Sequence, residues 1–383
     1  MDARQVMFCL IRSEICGAPL DVEELSSLSS EVLAELCSIA DRQDMLHIVA
    51  SALIKAGVLS ENKKRRLEKK LLLAAYRYRM QENELSKICG ALSEARIEHI
   101  PLKGSVIREL YPEPWQRTSC DVDVLVKKDE LDAATAALTE ALGYTMERIE
   151  EHDVSLTTES GVHVELHYDL IEDYMIEGAP PVLSRVWSTL CDGSGYTRRM
   201  SDGMFYFYHV AHMAKHFENG GCGVRPLLDL WLLDNRMDFD AKERDELLSE
   251  GGLLRFADAA RRLSTVWFSG AEHEGVSRQM EDYIINGGVY GTKENGATVK
   301  QRKRGGPLGY ALSRIFMPYH ELRGYYSILF QHPWLYPFMQ VRRWFRIVFC
   351  GGFKRSVREL NVNRKISKEQ REATDAFMLE IGL

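Results

Sequence analysis

Of the 383 residues, the segment DVDVLV at 121–126 constrains the fold most: it reads as a β-strand, yet it carries two carboxylates, Asp121 and Asp123, among four apolar residues. Side chains alternate along a strand, so both carboxylates face one side and Val122 and Val124 face the other. Two like charges a few ångströms apart need a cation. Magnesium is the natural one, because it prefers hard oxygen ligands and keeps waters and substrate phosphates in its remaining positions. A third acid, Glu165, lies in the alternating segment VHVELHYDL at 162–170, where His163, Glu165 and His167 share a face; Asp169 is the alternative third acid. Three convergent carboxylates could hold two metal ions, the arrangement used for in-line attack on a phosphoryl group.

The surroundings of DVDVLV read as an α/β unit. Apolar runs at HIPLKG (99–104), DVDVLV and VHVELHYDL are strands, and Asp129–Leu142 is an amphipathic helix stopped by Gly143. LKGS at 102–105 ends the first strand and opens a helix at Val106–Leu110. A Gly-Ser turn at such a helix start can present backbone N–H groups of Gly104 and Ser105 to an anion, and Lys103 can reach a phosphate oxygen or stand as an exposed strand-end lysine. Arg117 either meets a triphosphate or pairs near the acids. Residues 1–95 read as helix punctuated by Gly17, Pro19 and Gly57, and helical patterns return from about Val182 to Ile285. The expected organisation is therefore α+β: a small mixed sheet at 96–175, helical regions at 1–95 and 176–295, and a basic, aromatic-rich region at 296–383.

Several residues beyond the acids carry polar chemistry. His209, His212 and His216 share a helix face beside Lys215, which suits a polar lining over a cleft, a core or surface role, or a metal. Arg225 and Asp229, at i and i+4, are placed for a salt bridge. Charge is uneven: Thr298–Lys365 holds 14 Lys and Arg against two acids, a net of +12, and the remaining 35 basic and 54 acidic residues leave −19. That stretch suits an anionic partner such as nucleic acid or a membrane surface, or else its arginines pair with the acidic part of the chain. The eight cysteines form no CxxC pair and read as reduced thiols. No apolar run is long enough for a transmembrane segment, and MDARQVMFCLIRSE lacks a secretory pattern, so a cytoplasmic protein is expected. A GxxxxGK[ST] loop, a GxGxxG turn, kinase HRD and DFG motifs and a GxSxG elbow are all missing, which argues against P-loop, dehydrogenase, kinase and hydrolase chemistry.

The succession LKGSVIRELYP, Arg117, SCDVDVLV, an amphipathic helix, GY at 143–144 and HVELHYDL resembles the polymerase-beta-like nucleotidyltransferase superfamily. More narrowly it resembles the uncharacterised nucleotidyltransferase branch, as do HVAHMAKHFENGGCGVRPLLDL (209–230) and FMPYHELRGYYSILFQHPWLYPF (316–338). The resemblance implies transfer of a nucleoside monophosphate from an NTP to an acceptor hydroxyl, on a small molecule, a protein or an RNA end, with release of pyrophosphate. It assigns the triphosphate to Gly104 and Ser105, both Mg2+ ions to Asp121 and Asp123, and the catalytic ion and hydroxyl activation to Glu165. It also raises Arg225 and Asp229 to cleft candidates. The 15 residues between Ser105 and Asp121 exceed the usual superfamily spacing, which places an insert in YPEPWQR at 111–117. The alternative is a non-catalytic nucleotide- or RNA-binding protein on the same fold.

Overall fold

Apolar spacing makes the first 95 residues helical, giving α1 (Ala3–Cys16), α2 (Val22–Ser26), α3 (Ser30–Arg42), α4 (Leu46–Ala56) and the 34-residue α5 (Glu61–Glu94). The structure is a computed structural model that describes residues 1–172, 175–289, 301, 306–326, 328–349 and 367–383. Its class is α+β, with helices on both sides of one mixed sheet. The strands are β1 (His99–Pro101), β2 (Asp121–Val126), β3 (Thr145–Ile149), β4 (Asp153–Thr157), β5 (His163–His167), β6 (Leu190–Ser194) and β7 (Thr197–Met200). They run in the order β3-β4-β5-β2-β1-β7-β6.

The centre of the sheet is the parallel pair β2 and β5, in which Asp123 lies opposite Glu165 and Val124 opposite Leu166. β4 continues the sheet antiparallel to β5, with Ser155 opposite Glu165 and Asp153 opposite His167. Alternation thus sorts three strands at once. Val122, Val124, Val154, Leu156, Val164 and Leu166 point to one face and bury against Ile88 and Leu92 of α5 and against Ala134 and Leu138. Asp121, Asp123, Asp153, Glu165 and His167 point to the other.

A second and larger core joins the N-terminal helices to α9 (Asp202–Glu218), α10 (Val224–Arg236) and α12 (Leu254–Ser269) through Leu10, Val49, Phe207, Leu230 and Trp267. The polar face of the sheet looks into the seam where α9 and α10 pass. α5 serves both cores, burying Leu67 in the larger one and Ile88 in the sheet's own.

Three local readings need correction. The stretch after Val182, where helical patterns are expected to return, first holds the β6–β7 hairpin, whose turn is formed by Gly195 (φ 63°) and Tyr196. Thr197 of β7 pairs with His99, which donates its backbone N–H to Tyr196 O (3.1 Å), so the hairpin extends the sheet beyond β1. The helix after β2 is α-helical at α7 (Leu131–Ala136) and widens to a π-turn at Ala137–Ala141, closed by Gly143 (φ 70°) and by Tyr144 N donating to Leu138 O. The helix expected at Val106–Leu110 is α6 (Gly104–Ile107) followed by a 3-10 turn, Arg108–Leu110.

Leu166 is fully buried at the middle of the apolar face. Leu166→Ala is expected to lower the unfolding free energy by about 2–5 kcal/mol in urea denaturation. A loss below about 1 kcal/mol would show that this face does not carry the sheet.

Candidate functional site

The cleft begins where β1 ends. Lys103 follows Leu102 with φ 44° and ψ −118°, a conformation that side chains other than glycine rarely adopt. The turn swings its side chain over the acids, so that Nζ donates to Asp123 Oδ1 (2.8 Å) and lies 3.9 Å from Glu165 Oε2. Lys103 is therefore neither exposed nor free. At Gly104 a Cβ would stand 2.9 Å from Nη1 of Arg117, so glycine is the residue that lets this guanidinium press against the turn. The turn offers less to an anion than its sequence suggests. The backbone N–H of Ser105 donates to Leu102 O (3.1 Å) and that of Val106 to Lys103 O (3.2 Å).

The register sets Asp123 opposite Glu165 and Asp121 opposite His163, and all three acids line one cleft. His167, two residues beyond Glu165 on the same face, brings Nε2 within 3.0 Å of Asp123 Oδ1 and 3.3 Å of Glu165 Oε2. Burial alone would raise the pKa of Asp123, but Lys103 and then His167 outweigh it and hold the carboxyl well below the usual range. Burial and Lys103 oppose a charge on His167, yet its hydrogen bonds to Asp123 and Glu165 raise it to about 9. Asp121 is treated differently. Burial, then the charges of Asp123 and Glu165, push it up to about 6. Asp169, the alternative third acid, turns away and accepts from the backbone N–H of Ile171 (2.9 Å).

α9 forms the facing wall. His212 and His216 sit edge to face, their Nε2 atoms 3.3 Å apart, and burial keeps both neutral, His216 lowered to about 4. Lys215 binds Glu172, and its charge together with that of Lys103 outweighs burial and holds the Glu172 carboxyl below the usual range. His209 is an anchor between helices, its Nε2 2.9 Å from the Pro226 carbonyl. Tyr208, Glu172 and the group Glu150, His152 and Asp153 also line the cleft, whose volume is about 350 Å3. Simple alternation along β5 brings out His167, whereas Tyr208 and Glu172 carry no local signal and join the site only through tertiary packing.

Arg225 and Asp229 do not pair, against the expectation from their spacing. Asp229 is fully buried and receives a bidentate guanidinium from Arg117 (2.9–3.1 Å) and the Tyr111 hydroxyl (2.7 Å). Arg225 instead reaches Asp44 (2.9 Å) and the Thr118 carbonyl (2.7 Å). A guanidinium fork fits one carboxylate best, and Arg117 reaches Asp229 from the insert loop, so the loop takes the acid that the helix neighbour could have used. The ion pair of Arg117 is thus with Asp229 and not with the three acids.

The donor set fits a hard divalent cation. Carboxylate oxygens of Asp123 and Glu165 lie within 4.8 Å of each other and are the hard ligands such an ion takes, whereas protonated His167 beside them is a hydrogen-bond donor. Asp121 lines the same cleft, where burial and the charges of Asp123 and Glu165 outweigh those of Lys103 and Arg117 and raise its pKa. Tyr208 Oη and Glu172 Oε1, which line the cleft, and His167 Nδ1 are buried without a hydrogen-bond partner in the protein, and such atoms are the places where water, an ion or a ligand binds.

Residues 30–269 match a family model described as "Uncharacterised nucleotidyltransferase". No curated protein matches the chain. Among solved structures, the solution structure of the antibiotic-resistance factor ANT(2'')-Ia aligns with 45% of this chain and 91% of that one at 12% identity and a TM-score of 0.33, a likeness too slight to carry an argument.

The electrostatics of Asp121 set a pH-dependent stability. Its folded pKa, about 6, lies above the unfolded value of roughly 3.9. Any stabilisation from its protonated form is present below pH ~4 and lost as pH rises through about 6. In chelator-containing buffer, Asp121→Asn should melt close to the wild type at pH ~4 and above it at pH ~8, by differential scanning fluorimetry. Equal melting at both pH values would mean that the carboxylate is not under strain from its neighbours.

Proposed function

The protein belongs to the uncharacterised nucleotidyltransferase family, and from that premise we propose that it moves a nucleoside monophosphate from an NTP to an acceptor hydroxyl and releases pyrophosphate. The observation that carries this reading is the register of β2 and β5, which sets Asp121 and Asp123 beside Glu165 at the mouth of the Lys103–Gly104 turn. Asp121, Asp123 and Glu165 would hold two magnesium ions, which when bound neutralise phosphate charge and acidify the attacking hydroxyl.

The chain's own groups have separable tasks. Asp123 is fixed in its ionised form by Lys103 and His167, and is therefore ready to ligate at any physiological pH. Lys103 stays protonated, because Asp123 and its acidic neighbours outweigh its burial, and it supplies a fixed positive charge to the triphosphate. Gly104 and Ser105, on the first turn of α6, would meet the triphosphate beside Lys103, with Arg117 pressed against the turn. As the acceptor oxygen bonds to the α-phosphorus and the bond to the pyrophosphate oxygen breaks, Glu165 takes the hydroxyl proton. His212 and His216, both neutral, offer Nε2 atoms to the acceptor across the cleft. Arg225 and Asp229 act at a distance, holding the loop before β2 to Asp44 and α10.

Calorimetric titration with ATP, CTP, GTP and UTP analogues that resist α,β cleavage, with and without magnesium, tests the proposal. Binding should require magnesium, favour one base, and weaken at least about tenfold in Asp121→Asn. A folded protein that binds none of the four, with or without acceptor extracts, would refute the enzyme reading.

A further inference from the structure

The C-terminal stretch Thr298–Lys365 carries 14 Lys and Arg against two acids, and its described helices turn apolar side chains outward. Helix Tyr336–Phe349 packs with its buried Gln340 and Arg343 inward, Arg343 donating to the carbonyls of Arg314 (2.8 Å) and Ile315 (3.3 Å) at the end of helix Pro307–Ile315. Beneath them lies a small core of Met317, Leu322 and Leu329. Phe338, Val341 and Phe345, at i, i+3 and i+7, fall on the opposite side and are 63%, 44% and 61% exposed. Trp334, 67% exposed, meets Phe338 edge-on, and Phe316 meets Trp344. Arg342 and Arg346 are exposed along the flank of this row.

We propose that this face docks on an anionic membrane surface, with the helix Tyr336–Phe349 lying in the headgroup plane. An interfacial helix needs an apolar row that enters the acyl boundary and cations beside it that meet lipid phosphates, and both are present on one side here. Aliphatic exposure separates lipid from nucleic acid. Leu308, Leu312, Ile315 and Val341 are 44–74% exposed; such side chains gain from hydrocarbon but cannot stack on bases. Exposed Arg342 and Arg346 beside the apolar row favour an acidic leaflet over a neutral one. Docking does not require a span, and among the described residues no helix is long and apolar enough to cross a membrane. The inference does not depend on the transferase reading.

Co-sedimentation of the full chain with vesicles tests it, using phosphatidylcholine alone or mixed with about one third phosphatidylglycerol, at roughly 0.1 and 0.5 M salt. The protein should pellet with the anionic vesicles, stay in solution with the neutral ones, and bind less at high salt. Phe338→Ser with Phe345→Ser, and separately Arg342→Gln with Arg346→Gln, should each weaken binding about tenfold. Both variants should stay folded, with a cooperative melt and a far-UV circular dichroism spectrum like the wild type's. A folded wild type that ignores anionic vesicles overturns the proposal, as does binding that neither variant changes. Binding to single-stranded RNA in place of vesicles, lost in the arginine variant, would assign the face to nucleic acid. A dimer that light scattering shows split by the phenylalanine variant would assign it to a second copy of the chain.

Discussion

The parallel pairing of β2 with β5 is the constraint on which the rest of the site depends. With a side-chain period of two, one residue of slip would place Val124 opposite Glu165 and send the acids of β2 into the core of Ile88 and Leu138. The apolar face prevents this, because Val122, Val124, Val164 and Leu166 have to be buried together. Hydrophobic packing on one side of the sheet therefore fixes carboxylate geometry on the other. The two functions cannot be tuned separately.

Ion pairs hold the cleft to the surrounding helices. Arg117 joins the insert loop to α10 through Asp229, Arg225 joins α10 to Asp44, and Gln116 donates to Glu14 of α1 (3.0 Å). Arg117 and Asp229 are both mostly buried, and removing one partner of such a pair leaves an uncompensated charge, at a cost of about 3–5 kcal/mol. The loop before β2 is thus positioned by charge, whereas β2 itself is positioned by packing.

Much of the fold was legible where periodicity is local and unopposed. The helical character of residues 1–95, the strands around Asp121 and Glu165 and the helix stopped by Gly143 follow from spacing and punctuation. The β6–β7 hairpin was not, although Gly193, Ser194 and Gly195 mark a turn, because its strands are short and contain Asp192, Arg198 and Arg199. Long-range partners were illegible for a different reason. Spacing of i and i+4 says that Arg225 and Asp229 can touch, but Arg117 and Asp44 compete for them from segments 112 and 181 residues away. Lys103 was read from its neighbours alone, and nothing local in LKG foretells that a left-handed backbone will carry the ammonium back over Asp123.

α5 contributes a property that neither core has alone. Leu67 and Leu71 anchor its first half to the larger core and its last turns pack under the sheet, along a rod about 50 Å long. If either core melted, half of this helix would be left in water without a partner, and an isolated helix of that length is marginal. Melting of these two cores is thereby coupled, so they should unfold as one cooperative unit. The acids and the facing histidines then persist or disappear together, with no partly folded species that displays one wall of the cleft without the other.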